Sequence, residues 1–189
     1  MRSQSTRALA LRSIGFALAL AAAAMPRPVP ASEPVRVIFD TDMAMDCDDI
    51  GAVAVLHAFA DQGEAEILAM AVSGKDAFAA ACLDAINTFY GRDDIPIGAV
   101  KGPGVEEQSK YTQAVAKAFP HDLPTTNDAP DAVDVYRKTL AAQPDRSVTV
   151  ITVGYLTNLK NLLPSPPDAH SPLAGVDLVR QKVKLWVCM

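Results

Sequence analysis

Apolar and polar residues follow two alternating periods along most of the chain. Residues 35–41 (VRVIFDT) form a short apolar run rich in β-branched side chains, which predicts a strand. Residues 49–63 repeat apolar side chains at helical spacing and end at a glycine, which predicts a helix. The same alternation continues with a predicted strand at 65–73, a helix at 76–91 and a strand at 95–100. Strands that alternate with helices in this way predict parallel βαβ units.

The second half of the chain resumes this alternation after an interruption. Residues 101–130 carry scattered proline, glycine, lysine and aspartate, with one weak helical pattern at 111–119, so they predict a surface excursion or a lid. The predicted elements that follow are a helix at 131–143, a strand at 147–154, a helix at 156–163 and a strand that begins at Lys182. The sequence therefore predicts one α/β domain, residues 32–189, with an open, mostly parallel sheet and helices on both faces.

The last predicted strand, KVKLWVCM, is apolar over most of its length. Such a run is typical of a central parallel strand, which is buried on both faces. Because chain termini generally lie at the surface, we expect these residues to belong to the amino-terminal part of a longer protein. The alternative is a short protein whose last strand lies at an edge of the sheet.

The first 31 residues predict a secretory signal peptide. Arg2, Arg7 and Arg12 precede an apolar stretch at 14–25, and small residues follow, with cleavage expected after Ala31. The apolar stretch is shorter than a membrane span requires, and a retained membrane anchor is the alternative. We therefore expect an exported protein, periplasmic or secreted, without stable membrane insertion after cleavage.

Charge narrows the class of partner. Removal of residues 1–31 takes away four arginines and no acid, so the formal net charge moves from −5 to −9. An acidic protein is disfavoured as a binder of nucleic acid or of anionic membranes, since both require a basic surface. A small neutral substrate or a cation is the favoured partner.

Export would permit disulfides, but the cysteines do not indicate a framework. Cys47, Cys82 and Cys188 form no CxxC pair, and no paired histidines occur at zinc spacing. The sequence leaves two alternatives, namely three free or buried thiols, or one disulfide with one free thiol.

Five aspartates lie within residues 40–49, directly after the first strand. They are Asp40, Asp42, Asp46, Asp48 and Asp49. Like charges a few ångströms apart repel by several kcal/mol at intermediate dielectric unless a cation lies among them. A solvated loop, or a helix N-cap at Asp49, would need only one or two of these side chains. The segment therefore predicts a metal or catalytic site.

The residue types also indicate which metal. Aspartate oxygens suit Ca²⁺ or Mg²⁺ rather than zinc. An EF-hand is excluded because no glutamate stands at the twelfth position of a loop counted from Asp40, Asp42 or Asp46. In an open parallel sheet, ligands bind outside the carboxyl ends of the strands, where this segment is predicted to lie.

Two stretches resemble the inosine-uridine preferring nucleoside hydrolases. Asp40-Thr-Asp42 followed by Asp48-Asp49 is similar to the family's aspartate signature, and residues 148–159 (VTVITVGYLTNL) are similar to its strand followed by Gly-x-Leu-Thr-Asn. The resemblance covers residues 35–189. It implies a Rossmann-like core, Ca²⁺-dependent hydrolysis of the N-glycosidic bond of ribonucleosides, a role in purine or pyrimidine salvage, and assembly into homo-oligomers.

The resemblance also implies a role for individual residues. Asp42 would hold the metal and take the proton from its water, Asp49 would be a second metal ligand, and Thr157 would supply its backbone carbonyl. Asp48 would bind the ribose hydroxyls. Asp40 would be a supporting carboxylate that orients the metal ligands.

Three departures from the family pattern leave points open. The loop MAMDC is longer than the common form and adds Asp46, which could replace a neighbouring ligand; the role of Asn158 in the second motif is open as well. Lys75 and Asp76 stand where many relatives place an asparagine toward the ribose, so the preferred nucleoside is not predicted. The family's later ribose-binding residues and its histidine-aspartate pair would lie beyond Met189.

Two other functions compete with the hydrolase. Asp40-Thr-Asp42 with Ser73-Gly74 is similar to the motifs of the haloacid dehalogenase phosphatases, which use Mg²⁺ and in which Asp40 would be the nucleophile and Asp42 the general acid. That hypothesis leaves Asp48, Asp49 and the Gly-x-Leu-Thr-Asn motif unexplained. The other alternative is a periplasmic protein that binds nucleosides or Ca²⁺ without catalysis.

Overall fold

The computed structural model describes residues 33–189, which form one compact unit. The signal peptide predicted for residues 1–31 lies outside the described residues. The strands are β1 (Val35–Thr41), β2 (Ala65–Val72), β3 (Ile97–Ala99), β4 (Val148–Thr152) and β5 (Val183–Cys188). The helices are α1 (Asp48–Asp61), α2 (Ala79–Phe89), α3 (Thr112–Ala118), α4 (Ala132–Ala141), α5 (Thr157–Leu162) and α6 (Gly175–Lys182), with a short 3-10 helix at Thr126–Asp128.

The five strands form a single sheet in the order β3-β2-β1-β4-β5, and every pair is parallel. Successive residues of β1 point to opposite faces. Val37 and Phe39 join a core with Leu83 of α2, whereas Ile38 joins a second core with Tyr136 of α4. The predicted α/β fold, an open parallel sheet with helices on both faces, is confirmed.

The order of the strands determines where a ligand would bind. From β1 the chain proceeds outward through β2 and β3, then returns to the other side of β1 with β4 and β5. The loops after β1 and β4 therefore diverge toward opposite faces, and this switch point is where open α/β sheets bind ligands outside the carboxyl ends of the strands. The aspartate segment follows β1 and so lies at this point.

Local signals in the sequence explain where several elements end. Gly63 and Gly91 follow α1 and α2 with φ of 72° and 69°, a left-handed conformation that glycine adopts without strain. At the start of α4, the carboxylate of Asp131 accepts a hydrogen bond from the backbone N–H of Val133 at 2.8 Å, which is an N-cap.

Four features differ from the expectations drawn from the sequence. Helix α6 was not predicted, since the loop before it is rich in proline, and β3 has three residues instead of the expected six. Cys47, not Asp49, is at the N-cap position of α1. Within the described sheet, β5 pairs with β4 alone and forms an edge rather than a central strand, with Leu185 54% exposed. Continuation of the chain past Met189 stays a prediction.

The three cysteines are free; Cys82 is buried, and Cys47 and Cys188 are exposed. Of the two alternatives left by the sequence, the structure has the three thiols. Between residues 33 and 189, no helix is both long enough and apolar enough to cross a membrane.

Candidate functional site

The loop that carries the aspartates is short and held by its own backbone. Strand β1 ends at Thr41 and α1 begins at Asp48, so six residues connect them. Met43 has φ of 50°, a left-handed conformation that is strained for a side chain of this kind, and it is completely buried. Its N–H donates to the Thr41 hydroxyl at 3.2 Å. The buried Met43 therefore fixes the direction in which the loop leaves the sheet.

The structure brings three of the five aspartates together. Carboxylate oxygens of Asp46, Asp48 and Asp49 lie within 4.8 Å of one another; Asp46 and Asp48 are exposed, and Asp49 is buried. The Thr41 hydroxyl donates a hydrogen bond to Asp49. This cluster could hold a metal ion, and it includes Asp46, whose role the sequence left open.

Asp42 lies beside this cluster, between the loops that follow β2 and β4. A Cβ built on Gly154 would lie 2.5 Å from the Asp42 backbone nitrogen and 2.7 Å from its carboxylate, and one built on Gly74 would lie 2.9 Å from its carbonyl oxygen. No larger side chain fits at either glycine without movement of Asp42. The carboxylate also accepts from the N–H of Ala44 at 3.0 Å. Two glycines thus fix Asp42 at the carboxyl edge of the sheet.

Asp40 is fully buried beneath the loop. It accepts hydrogen bonds from the Tyr136 hydroxyl at 2.8 Å and from Nδ2 of Asn158 at 3.1 and 3.2 Å. Burial raises the pKa of Asp40 to about 7, against the lowering effect of these donors. No local pattern indicated Tyr136, which lies 96 positions away. Asn158 is buried too, and its Oδ1 has no hydrogen-bond partner among the described residues.

The electrostatics of the site favour a cation. Burial raises the pKa of Asp49 to about 6, with the charges of Asp42 and Asp48 adding to the effect. Burial also raises the pKa of Asp42, and Glu107, Asp48 and Asp46 add to it by repulsion. Carboxylates whose ionisation is unfavourable without a counter-charge are the donor set that a hard cation stabilises. The residues present therefore fit a divalent metal.

The remaining predicted residues are placed as follows. Thr157 begins α5, three positions after Gly154, and its carbonyl role stays a prediction. Asp76 accepts hydrogen bonds from the N–H groups of Phe78 and Ser109 and from the Thr112 hydroxyl, at 2.7 to 3.0 Å. Asp76 thus holds two loops together rather than pointing outward to a ligand.

Two further residues near the site were missed by sequence reasoning. The hydroxyl of Tyr155, directly after Gly154, donates a hydrogen bond to the carboxylate of Glu107, which lies in the excursion at 101–130. This contact raises the pKa of Tyr155 to about 12. Glycine at the ends of β2 and β4 was the available signal for close approach to this region; no pattern indicated Glu107.

One cavity of the described residues lies away from the acidic loop. It measures about 510 Å³ and lies between the start of β3 and α4, where Ile97 and Val135 line it. None of the five aspartates contributes to its wall. The charges and the chemistry favour the acidic loop at the strand switch point as the candidate site.

Comparison with known proteins gave a result for structure only. No family model matches the chain, and no curated protein matches it in sequence. The effector protein XopQ, solved in complex with adenosine diphosphate ribose, superposes with a TM-score of 0.63 at 18% identity, over 99% of this chain and 48% of XopQ. The plant nucleoside hydrolase PpNRh1 superposes with a TM-score of 0.51 at 22% identity, over 82% of this chain and 47% of that enzyme. The chain has a nucleoside hydrolase-like fold.

A third solved structure agrees with this assignment. The effector protein XOO4466 superposes with a TM-score of 0.62 at 16% identity, over 84% of this chain and 44% of that protein. At these identities the likeness establishes the nucleoside hydrolase-like fold alone. The chain spans about half the length of the three proteins.

Proposed function

We propose that this protein is a Ca²⁺-dependent hydrolase that cleaves the N-glycosidic bond of ribonucleosides. One observation carries the proposal: Asp42 and the cluster of Asp46, Asp48 and Asp49 lie at the switch point of a nucleoside hydrolase-like sheet. The proposal includes export, which follows from the predicted signal peptide, and a small-molecule nucleoside substrate and assembly into homo-oligomers, which follow from the sequence resemblance.

The proposed roles of the aspartates differ with their exposure. Asp42 and Asp49 would hold the cation with Asp46, and the Thr157 carbonyl is the fourth proposed ligand. When bound, Ca²⁺ would supply a nucleophilic water at a lower pKa and would neutralise the acidic loop. Asp48 is exposed on the first turn of α1, a position suited to accept hydrogen bonds from the ribose hydroxyls.

Asp42 is suited to the proton transfer. It is half-buried, and its pKa is raised by burial and by its acidic neighbours. The contacts of Gly74 and Gly154 hold its backbone on both sides, so the carboxylate is oriented before a substrate arrives.

The phosphatase alternative conflicts with the position of Asp40. An aspartyl nucleophile must reach the phosphorus of its substrate. Asp40 is 0% exposed, and its carboxylate is already engaged by Tyr136 and Asn158. Burial of this kind suits a residue that supports others, which is the role proposed for it here.

Release of base from inosine and uridine by the full chain tests the proposal. We expect turnover with Ca²⁺ and none with a chelator, and a loss of about 100-fold or more in Asp42→Asn, which removes the base. Asp94→Asn is the matched control, because Asp94 is exposed before β3, at the other end of the sheet. Ca²⁺ or nucleoside binding without release of base would favour the non-catalytic binding protein. Undiminished turnover in Asp42→Asn would remove its assignment.

A further inference from the structure

Residues 104–109, here called the strap, are fastened to the loop after β2. Gly74 and Val105 form an isolated parallel bridge, and the N–H of Lys75 donates to the Val105 carbonyl at 3.0 Å. At the end of the strap, the N–H of Ser109 donates to the buried Asp76 at 3.0 Å. These contacts hold the backbone of the strap in place at both of its ends.

The strap also reaches the loop after β4. Glu107 accepts the hydrogen bond from Tyr155, and Tyr155 follows Gly154, which touches Asp42. Since β1 lies between β2 and β4 in the sheet, a segment that contacts both flanking loops passes the carboxyl end of β1. The strap therefore places the carboxylate of Glu107 at the mouth of the acidic site.

Glu107 forms no salt bridge with another described residue. Lys75, the cation on the adjoining loop, pairs with Glu106 at 2.9 Å. The salt bridges found within residues 33–189 do not include Glu107. Tyr155 offers it a neutral donor, not a positive charge. Glu107 thus adds a negative charge to a mouth that already carries the aspartates.

From this placement we propose that Glu107 is a specificity-determining residue, whose carboxylate disfavours ligands that carry phosphate and restricts the site to uncharged nucleosides. The inference rests on the proposed function. The charge of Glu107 acts on Asp42, and the same carboxylate would repel a phosphate group that approached the site past the strap. Like charges within a few ångströms to one Debye length repel measurably even in a partly hydrated site.

Calorimetric titration of the full chain at saturating Ca²⁺ with formycin B, a C-nucleoside analogue of inosine that has no N-glycosidic bond to cleave, and with its 5′-monophosphate tests this role without relying on turnover. In the unchanged protein we expect the monophosphate to bind at least about tenfold more weakly than the C-nucleoside. Glu107→Gln should reduce that gap to about threefold or less, mainly by tightening the monophosphate. Glu64→Gln is the matched control, since it removes the same charge from an exposed position just before β2, at the opposite end of the sheet.

The outcomes separate the two claims. A gap that persists in Glu107→Gln, or one that narrows equally in Glu64→Gln, overturns the role of Glu107 and leaves the proposed function standing. The absence of a gap in the unchanged protein does the same. If the unchanged protein binds neither ligand with Ca²⁺ present, the proposed function fails, and the inference fails with it.

Discussion

Gly154→Ala is expected to disable the site while leaving the fold intact. The added Cβ would lie 2.5 Å from the Asp42 backbone nitrogen, and ordinary contact begins at 3.4 Å, so the two backbones must separate by about 0.9 Å. The atom contacted belongs to the backbone, so a change of rotamer cannot relieve the overlap. Overpacking of this kind destabilises by about 2 kcal/mol, which lowers the Tm of a domain of this size by about 4–8 °C.

The functional loss should exceed the loss of stability. A displacement of about 1 Å in a positioned catalytic group reduces the rate about 100-fold. Gly51→Ala is the control, because nothing lies within 4 Å of the added Cβ and the residue is exposed on α1. That variant should gain about 0.5–1 kcal/mol, since alanine loses less backbone entropy in a helix.

Thermal unfolding of both variants measures the loss of stability. Calorimetric Ca²⁺ titration, carried out 20 °C below the lower of the two Tm values, measures the functional loss. We expect Gly154→Ala to weaken Ca²⁺ binding by about tenfold or more, and Gly51→Ala to leave it unchanged. Unchanged Ca²⁺ affinity and unchanged base release in Gly154→Ala would refute the claim that this glycine positions Asp42.

Three further predictions concern stability. Arg137 is buried and donates hydrogen bonds to Asp168 and to two backbone carbonyls. Arg137→Met should therefore lower the free energy of unfolding, measured in urea, by about 3 kcal/mol without changing the Ca²⁺ affinity. A decrease below about 1 kcal/mol would contradict this prediction. Burial lowers the pKa of His57, whose Nε2 donates to Asn87. The neutral ring is therefore favoured in the folded protein. The free energy of unfolding should fall as the pH drops from the ordinary histidine pKa to the lowered pKa of His57; the same pH dependence in His57→Gln would count against this. Ca²⁺ at 100 times its Kd should add about 2.7 kcal/mol to the free energy of unfolding, and Asp49→Asn should lose most of that gain; full protection in the variant would exclude Asp49 as a ligand.

The framework of the site was readable from the sequence because it depends on local patterns. The apolar run of β1, the helical spacing of α1 and the glycines that end α1 and α2 are each decided within a few residues. The acidic segment was predictable for the same reason, since its charges are adjacent in the chain and parallel βαβ units place such a loop at the ligand-binding edge.

The contacts that complete the site were not readable, because they join distant parts of the chain. Tyr136 reaches Asp40 across 96 positions, and Tyr155 reaches Glu107 across 48. Neither pair leaves a periodic signal, since one tyrosine in an amphipathic helix or in a loop has the same local pattern whether or not it meets a carboxylate. Helix α6 was missed for a related reason: its stability depends on packing Leu178 into the core beside Tyr136, not on local propensity.

The grouping of the aspartates was likewise predicted only in part. The sequence predicted a cation at this loop, but the ligands it favoured were Asp42 and Asp49, and the structure groups Asp46 with Asp48 and Asp49. The extra residues of the loop bring Asp46 back toward the start of α1. Spacing in the chain does not determine that return; the buried, left-handed Met43 does, by directing the loop as it leaves β1.

A crystal structure of the full chain with Ca²⁺ tests the central claim most directly. We expect one ion at the switch point, with oxygens of Asp42 and Asp49 at about 2.3–2.6 Å and with Asp46 or the Thr157 carbonyl among the further ligands. An acidic loop without an ion at saturating Ca²⁺, or an ion bound only elsewhere on the protein, would contradict it.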